Sequence, residues 1–493
     1  MTVRVRFAPS PTGYVHIGSL RTALYDYLLA KKMHGSYIIR VEDTDQSRLV
    51  TDAIDNLVSV MTELGVVHDE GPFFDSEKTL YQKGEFGPYI QSQRLAIYQD
   101  YIERLLKSGH AYYCFCSRER LDQVRDEQKR NNLTPKYDGL CRDIDLEEAK
   151  KRIQNGEAYV VRLKLPVSRD LSFKDHVRGE VTFNTNDLDD QVLIKQDGFP
   201  TYHFAVVVDD HLMQITHIIR GEEWVSSTPK HVFLYEAFGW KQPEYIHLPL
   251  ILNEEKKKLS KRHDDAAVED FLRQGYLKEA IINYVALLGW SPEDGSELMS
   301  LEEIIEKFSL DRLSKLGAVF DKQKLKWMNG QYIRHYALDQ LVELAVPFMI
   351  LEGFITLEDV ERRKEWITLV VKALKERVET LKDFGVMATM FLGDVVEPET
   401  EEVSQMLKEE HVPVVLNAFK QEILALEGVT AENAKVALKA VQASTGYKGK
   451  QLFMTVRQAV SGQMHGVDLN DLLAILGREG LVARLDYTLS HLV

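Results

Sequence analysis

No stretch of about 18 apolar residues occurs in the 493-residue chain, so no membrane-spanning helix is expected. The opening Met1-Thr2-Val3-Arg4 enters a strand pattern and lacks the profile of a secretory signal. Cysteine is scarce: three residues, all between positions 114 and 141, exclude a disulfide framework and point to a reducing cytoplasm. Positive charge is in deficit, with 61 Lys and Arg against 76 Asp and Glu and a net charge of −15. That excludes a protein coated in basic surface, but not nucleic acid, because a phosphate-binding face needs only local positive potential. Internal repeats and low-complexity tracts are also missing. With 44% hydrophobic and 28% charged residues, a packed protein is expected, split into domains of roughly 100–200 residues.

Val3, Val5 and Phe7 alternate with polar residues and read as a strand. After a loop over 9–13, Leu20, Ala23, Leu24, Tyr27 and Leu28 recur at helical spacing, and Gly35 stops that helix. A second strand over 37–42 and a helix over 54–64, ended by Gly65, complete a βαβα opening of nucleotide-binding type. A later α/β stretch has strand-like segments at 201–209 and 215–220, then a helix entered at Ser227-Thr228-Pro229 and closed by Gly239. Residues of about 110–190 look like an insertion with mixed structure of its own. From Phe271 onward the pattern is helical: a capping box at Ser300-Leu301-Glu302-Glu303, a long, amphipathic and charged stretch over 357–384, a linker over 394–402 and a loop over 446–449.

Two segments carry the chemistry. Arg6-Phe7-Ala8-Pro9-Ser10-Pro11-Thr12-Gly13-Tyr14-Val15-His16-Ile17-Gly18-Ser19 is a strand leading through a stiffened loop to a helix start, with an imidazole at the junction. Such a junction offers unpaired N–H groups and the positive end of the helix dipole to an anion. Gly18 lets a flat base or ribose approach the backbone, and His16 is placed to donate to a phosphate as charge builds in a transition state. Far downstream, Lys258-Leu259-Ser260-Lys261-Arg262 is a basic loop suited to a departing pyrophosphate. Alone, either would be a solvated lysine run or a helix-start histidine; together, in this order, they describe one ATP site. Removing Lys261 is expected to slow the reaction about a hundredfold or more.

At these residues the chain resembles the class I aminoacyl-tRNA synthetases, with His16-Ile17-Gly18-Ser19 and Lys258 to Arg262 as the two signatures. Ala8-Pro9-Ser10-Pro11-Thr12-Gly13, Val41-Glu42-Asp43-Thr44-Asp45, Gly87-Pro88-Tyr89-Ile90-Gln91-Ser92-Gln93-Arg94 and Gly221-Glu222-Glu223-Trp224 are similar to the bacterial-type glutamyl branch. Ser19 and Leu259 replace the commoner His and Met of the class and are themselves like that branch. The resemblance implies an α/β, Rossmann-type parallel-sheet catalytic domain with an inserted α+β subdomain, followed by all-α C-terminal domains. The implied divisions are 1–110 and 196–250 for the two catalytic halves and 111–195 for the acceptor-end-binding insertion. They continue with 251–335 for a stem-contact region and with 336–396 and 397–493 for two anticodon-binding subdomains.

It further implies ATP-dependent activation of glutamate to the adenylate and transfer to the terminal adenosine of tRNA(Glu), with Mg²⁺ on the phosphates and adenylate formation awaiting bound tRNA. His16, Gly18, Ser19, Lys258, Ser260 and Lys261 would act in catalysis, and Pro11, Thr12 and Gly13 would join His16, Gly18, Lys258 and Lys261 on ATP. Arg6, Ala8, Ser10, Glu42, Tyr202, Arg220 and Trp224 would form the amino-acid pocket, Glu42 on the ammonium and Arg220, helped by Arg6 and Tyr202, on the side-chain carboxylate. Guanidinium pairs bidentately with carboxylate, and glutamine's amide would leave that charge uncompensated. Val206 stands where some relatives have a pocket Asn.

Cys114, Cys116 and Cys141 with Asp143 could close a tetrahedral structural zinc site, Tyr137 competing as fourth ligand; read otherwise, they are three reduced thiols. Lys448, Lys450 and Arg457 are candidate anticodon contacts, or else solvated loop charges. Whether tRNA(Gln) is a second acceptor is left open; a monomer, cytoplasmic and off the membrane, is expected. The rival glutaminyl branch would have Pro-Glu-Pro-Asn-Gly where Pro9-Ser10-Pro11-Thr12-Gly13 stands, and a nucleotidylyltransferase would not need the helical half.

Overall fold

Alternation in the first residues gives β1 (Arg4–Phe7), which runs through the 9–13 loop into α1 (Ile17–Lys32); β2 (Ser36–Ile39) then returns parallel to β1, Arg6 facing Ile38. The turn between α1 and β2 depends on Gly35, where a Cβ would lie 2.1 Å from the carbonyl oxygen of Val3. The structure, a computed structural model, describes residues 2–11, 13–45, 50, 52–259 and 266–493. It divides into two units, Met1–Phe271 with Lys278–Lys322 and Leu272–Leu277 with Gln323–Val493.

In the first unit, α2 (Ala53–Glu63), the antiparallel hairpin β3 (Gly71–Phe74) and β4 (Leu80–Lys83), and α3 (Leu95–Lys107) follow. Next come β5 (Ala111–Cys114), α4 (Arg118–Arg130), α5 (Leu146–Gln154), β6 (Val160–Leu163), β7 (Asp170–Asp175), β8 (Gly179–Asn184) and β9 (Val192–Ile194). Strands β5, β6 and β9 form a separate antiparallel sheet. The β7–β8 hairpin does not stay with them. After α6 (Tyr202–Leu212), β10 (His217–Gly221), α7 (Thr228–Phe238) and β11 (Glu244–Leu248), a four-stranded mixed sheet has the order β10-β11-β7-β8, parallel except for the β7–β8 hairpin. Its link to β7 is the pairing of Tyr245 with Asp175. A backbone bond from Thr216 N to Arg4 O sets β10 beside β1. The result is a Rossmann-type arrangement, with the ends of β1, β2 and β10 opening toward the start of α1.

One segment differs from the sequence expectation. Residues 201–209 are not a strand but the start of α6, in which Phe204 to Asp210 are all buried. A run buried all round has no helical or strand periodicity to read, and Val206-Val207-Val208 biases the reading toward a strand. As a helix, the segment sets Asp209 and Asp210 side by side at its buried end, where three arginines reach them.

The unit ends with β12 (Ile251–Leu252), α8 (Val268–Arg273), whose last residues fall in the second unit, α9 (Lys278–Ala286), α10 (Leu301–Lys307) and β13 (Ala318–Val319), which pairs parallel with β12. The expected capping box at Ser300 and Glu303 is present.

The second unit is helical: α11 (Lys322–His335), α12 (Leu338–Leu351), α13 (Leu357–Arg362), α14 (Lys364–Leu374), α15 (Leu381–Ala388), α16 (Glu401–Met406), α17 (Val412–Leu424), α18 (Ala431–Thr445), α19 (Lys450–Ser461) and α20 (Leu469–His491). The amphipathic stretch expected over 357–384 is built as three helices. Arg363 leaves helical geometry at φ −122°, ψ 27°, and Thr380 restarts the chain with a capping box to Asp383. Leu416, Phe419, Val456 and Leu473 are fully buried where α17 to α20 pack. No helix of the described residues is long and apolar enough to cross a membrane.

Candidate active site

A cavity of about 880 Å³ opens between the first turn of α1, the ends of β1, β2 and β10, and the loop after β11. At the start of α1 His16 is the N-cap, and its Nδ1 accepts from the backbone N–H of Gly18 at 3.0 Å. That bond fixes the neutral tautomer with its proton on Nε2, the form that donates. Gly18 and Ser19 line the cavity, and a Cβ on Gly18 would come within 3.2 Å of the His16 ring. Pro11 and Gly13 line the same wall; Thr12 lies outside the described residues.

Lys258 lines the opposite wall. It is carried by the turn after β12, where Leu252 pairs with Lys258 and Leu259 N donates to Ile251 O at 2.9 Å. Its ammonium lies 3.7 Å from a carboxylate oxygen of Glu223. Ser260 and Lys261 lie outside the described residues. His16 and Lys258 thus line one cavity. Behind them Arg21 of α1, buried, donates to the carbonyls of Leu288 and Pro249 and ties that helix to the loop leading into β12.

The cavity is also lined by Arg6, Ala8, Ser10, Glu42, Tyr202, Arg220 and Trp224, the seven residues that the resemblance assigns to an amino-acid pocket. Tyr202 and Trp224 pack with ring centroids 4.3 Å apart. Val206 is buried in the core among Phe204 and Leu234 and does not line the cavity.

Beneath this floor is a buried ion network that the motifs do not announce. Arg6 donates twice to Asp210, at 3.0 and 3.3 Å. Arg40, fully buried, reaches Asp210 at 2.6 Å and Glu42 at 3.0 Å. Asp209 receives Gln91, Arg94 and Tyr98 at 2.7 to 2.8 Å. Burial raises the Asp210 carboxyl, but Arg6 and Arg40 outweigh it and hold it below the usual carboxylate range. Glu42 balances the other way: burial pushes it up to about 7, despite Arg40 and Arg6.

Arg220 is surrounded differently. Its Nε donates to His247 Nε2 at 3.0 Å, one Nη to Thr228 Oγ1 at 2.7 Å, and the other to His231 Nδ1 and Tyr202 Oη at 3.3 and 3.4 Å. Among the described residues no carboxylate lies within ion-pair distance of it. His247 in turn donates from Nδ1 to Asp175 at 2.7 Å, and His231 is bonded through Nε2 to His203 Nδ1 at 3.0 Å. Arg6 is paired with Asp210 through two of its nitrogens, whereas Arg220 has only neutral acceptors around it and keeps its charge for a ligand.

The three cysteines converge, with ligand sulfurs within 4.8 Å of one another. Cys116 and Cys141 Sγ are 3.6 Å apart, near the edge of a tetrahedron built on zinc–sulfur bonds of about 2.3 Å. The fourth corner corrects one expectation. Asp143 is turned away, its side chain 90% exposed and paired with Lys164 at 3.3 Å. Tyr137 stands there instead, its hydroxyl 3.4 Å from Cys114 and 3.6 Å from Cys116. In the second unit Lys448 and Lys450 are exposed, whereas Arg457 is half-buried on α19, and burial lowers its pKa.

The sequence reading missed Arg40, Asp209, Asp210, Asp175, His231 and His247. Charged or imidazole side chains inside otherwise apolar runs, such as Arg40 after Tyr37-Ile38-Ile39 and Asp209-Asp210 after Val206-Val207-Val208, were the available signal.

Residues 2–327 match the family model described as tRNA synthetases class I (E and Q), catalytic domain, and residues 340–489 match an anticodon binding domain. The chain is 54% identical over 492 residues, all of both chains, to a glutamate–tRNA ligase of Alkaliphilus metalliredigens. It is 55% identical over 493 residues, again all of both, to one of Clostridioides difficile. Among solved structures, a glutamate tRNA ligase from Elizabethkingia meningosepticum in complex with its amino acid is similar at TM-score 0.89 and 36% identity, covering all of both chains.

Proposed function

The chain belongs to the glutamate–tRNA ligases, class I tRNA synthetases of the glutamate and glutamine branch, and from that premise we propose how its residues divide the work. The reaction activates glutamate with ATP to glutamyl-adenylate and transfers it to the 3′-terminal adenosine of tRNA(Glu), releasing AMP and pyrophosphate. No covalent enzyme intermediate is needed, so catalysis is positioning and charge stabilisation.

His16, with its Nε2 proton, donates to the ATP phosphates as the glutamate α-carboxylate attacks the α-phosphorus. The first turn of α1, with Gly18 and Ser19, receives the nucleotide, Pro11 and Gly13 border it, and Thr12, between them in sequence, is assigned to ATP by the resemblance. Lys258, with Ser260 and Lys261, takes the pyrophosphate charge with Mg²⁺, which requires Lys258 to leave Glu223. Arg220 holds the side-chain carboxylate, with Tyr202 and the remaining Nη of Arg6 alongside. Glu42 takes the ammonium, whose charge favours the ionised carboxylate there. Ala8, Ser10 and Trp224 shape the pocket.

The single observation carrying this reading is that His16 and Lys258 border the same cavity as Arg220 and Glu42. Charging of tRNA(Glu) and tRNA(Gln) transcripts with labelled glutamate and glutamine tests it. Glutamate is accepted and glutamine refused, and pyrophosphate exchange appears only when tRNA is added. Robust exchange without RNA, or glutamine charging, contradicts it. The same assay decides whether tRNA(Gln) is a second acceptor.

Residues 111–195 hold the acceptor end, and the helical unit reads the anticodon, with Lys448, Lys450 and Arg457 as candidate contacts. Cys114, Cys116, Cys141 and Tyr137 would hold a zinc ion that cross-links β5 to the 137–141 turn, a structural role only. The protein acts as a cytoplasmic monomer.

A further inference from the structure

The ring of acceptors around Arg220 has a direction. Asp175, fully buried, accepts the Nδ1 proton of His247, and the His247 backbone N–H donates to the same oxygen at 3.0 Å. His247 Nε2 is therefore bare and accepts from Arg220. A proton there would point at the guanidinium N–H across 3.0 Å. His231 is constrained in the same way. Its Nδ1 faces Arg220, so its proton lies on Nε2, toward His203 Nδ1. Burial first, then the charge of Arg220, lowers the pKa of His231; at His247 burial outweighs the opposing bond to Asp175, with Arg220 adding to the fall, and the direction agrees with the neutral tautomers that the hydrogen bonds require. Thr228 gives its own proton to the Trp224 carbonyl at 2.9 Å and meets Arg220 as an acceptor.

The geometry points to His231, His247 and Thr228 as specificity-determining positioning residues: they aim Arg220 through neutral acceptors, leaving its charge for the substrate carboxylate. This deepens the proposed pocket and rests on the assignment of Arg220 to that carboxylate. A carboxylate in any of the three places would aim the guanidinium as well, but would neutralise it, as Asp210 neutralises Arg6. Glutamine, with no charge to offer, loses less from such a change than glutamate does. Preference for the acid over its amide is thus set one shell behind the residue that touches it.

The test is an isosteric pair. Asn at 231 keeps a neutral oxygen near the Nδ1 position, and Asp differs from it only in charge. In aminoacylation by the full-length enzyme, His231→Asn is expected to change KM for glutamate by about threefold at most. His231→Asp is expected to raise it roughly a hundredfold, more than kcat falls, and to shrink the glutamate-over-glutamine preference. Equal KM values for the two variants overturn the inference. Arg220→Gln separates this from the pocket assignment: unchanged glutamate KM in that variant overturns the assignment itself. A raised KM there with an indifferent Asn/Asp pair overturns only the neutral ring. Should His231→Asp fail to fold, Thr228→Asn and Thr228→Asp make the same comparison from the other side of the guanidinium, read in the same way.

Discussion

Arg6 and Arg40 share Asp210, and Arg40 also reaches Glu42, at the cavity floor, whereas Arg220, with no carboxylate in ion-pair distance among the described residues, is held by two imidazoles and two hydroxyls. In the first region each buried cation has its counter-charge, and the network is complete without substrate. In the second the hydrogen bonds are filled but the charge is not. Buried ions are kept either by pairing or by function. The contrast between these two sets of arginines separates what holds the floor of the site together from what reads the ligand.

The comparison breaks most visibly at Arg220. Replacing it with Gln is expected to lower kcat/KM for glutamate by about 10³-fold or more, at a stability cost of about 1–3 kcal/mol, because buried acceptors such as His247 Nε2 lose a donor but no counter-charge is orphaned. Steady-state aminoacylation and thermal melting of the same preparation check both halves.

Asp210→Ala is the converse. It strips Arg6 and Arg40 of their shared carboxylate and leaves buried charge, at a cost of about 3–5 kcal/mol in stability. Urea unfolding measures it. A loss below about 1 kcal/mol would mean that water already screens the network.

Glu42 sharpens the boundary between the two regions, since it belongs to the network and faces the ligand. Its pKa of about 7 means that kcat/KM for glutamate rises with pH up to about 7 and then levels off. Below that pH the slope approaches tenfold per unit, and Glu42→Gln removes the limb along with most of the activity. The stability sign is opposite. Between the ordinary 4.5 and about 7 the folded protein holds a proton that the unfolded chain releases, so this group's contribution falls as pH rises through that window.

The smallest effect lies outside both arginine regions. Tyr137→Phe removes one oxygen from the thiol cluster and should cost about 1 kcal/mol in the absence of metal. If zinc is held, metal analysis finds one equivalent in the parent protein and weaker retention in the variant. Asp143→Ala should change neither quantity.

The legibility of the chain follows the same line. His16, Gly18, Lys258, Arg6 and Glu42 stand in local motifs, which a single sequence displays, whereas Tyr202 and Arg220 were reached through the family resemblance. The βα opening was legible because β1 and α1 are amphipathic or bounded by Pro9, Gly13 and Gly35. Helix α6 was not, because a segment buried on every side has no polar face to mark its period. The break at Thr380 was announced by Thr380-Leu381-Lys382-Asp383, a capping box with Asp in the place of the usual Glu or Gln. The ring around Arg220 draws on Asp175, Tyr202, Thr228, His231 and His247 from four separate elements, and nothing in linear order sets those residues together.

The most direct test is the ratio of kcat/KM for glutamate to that for glutamine, measured side by side in Arg220→Gln and Asp210→Asn. The ratio should collapse by about 10³-fold in the first and change by less than about tenfold in the second, whatever Asp210→Asn does to stability. Equal collapse in both variants would show that the arginine network acts as one charged body and that Arg220 has no separate role in reading the substrate.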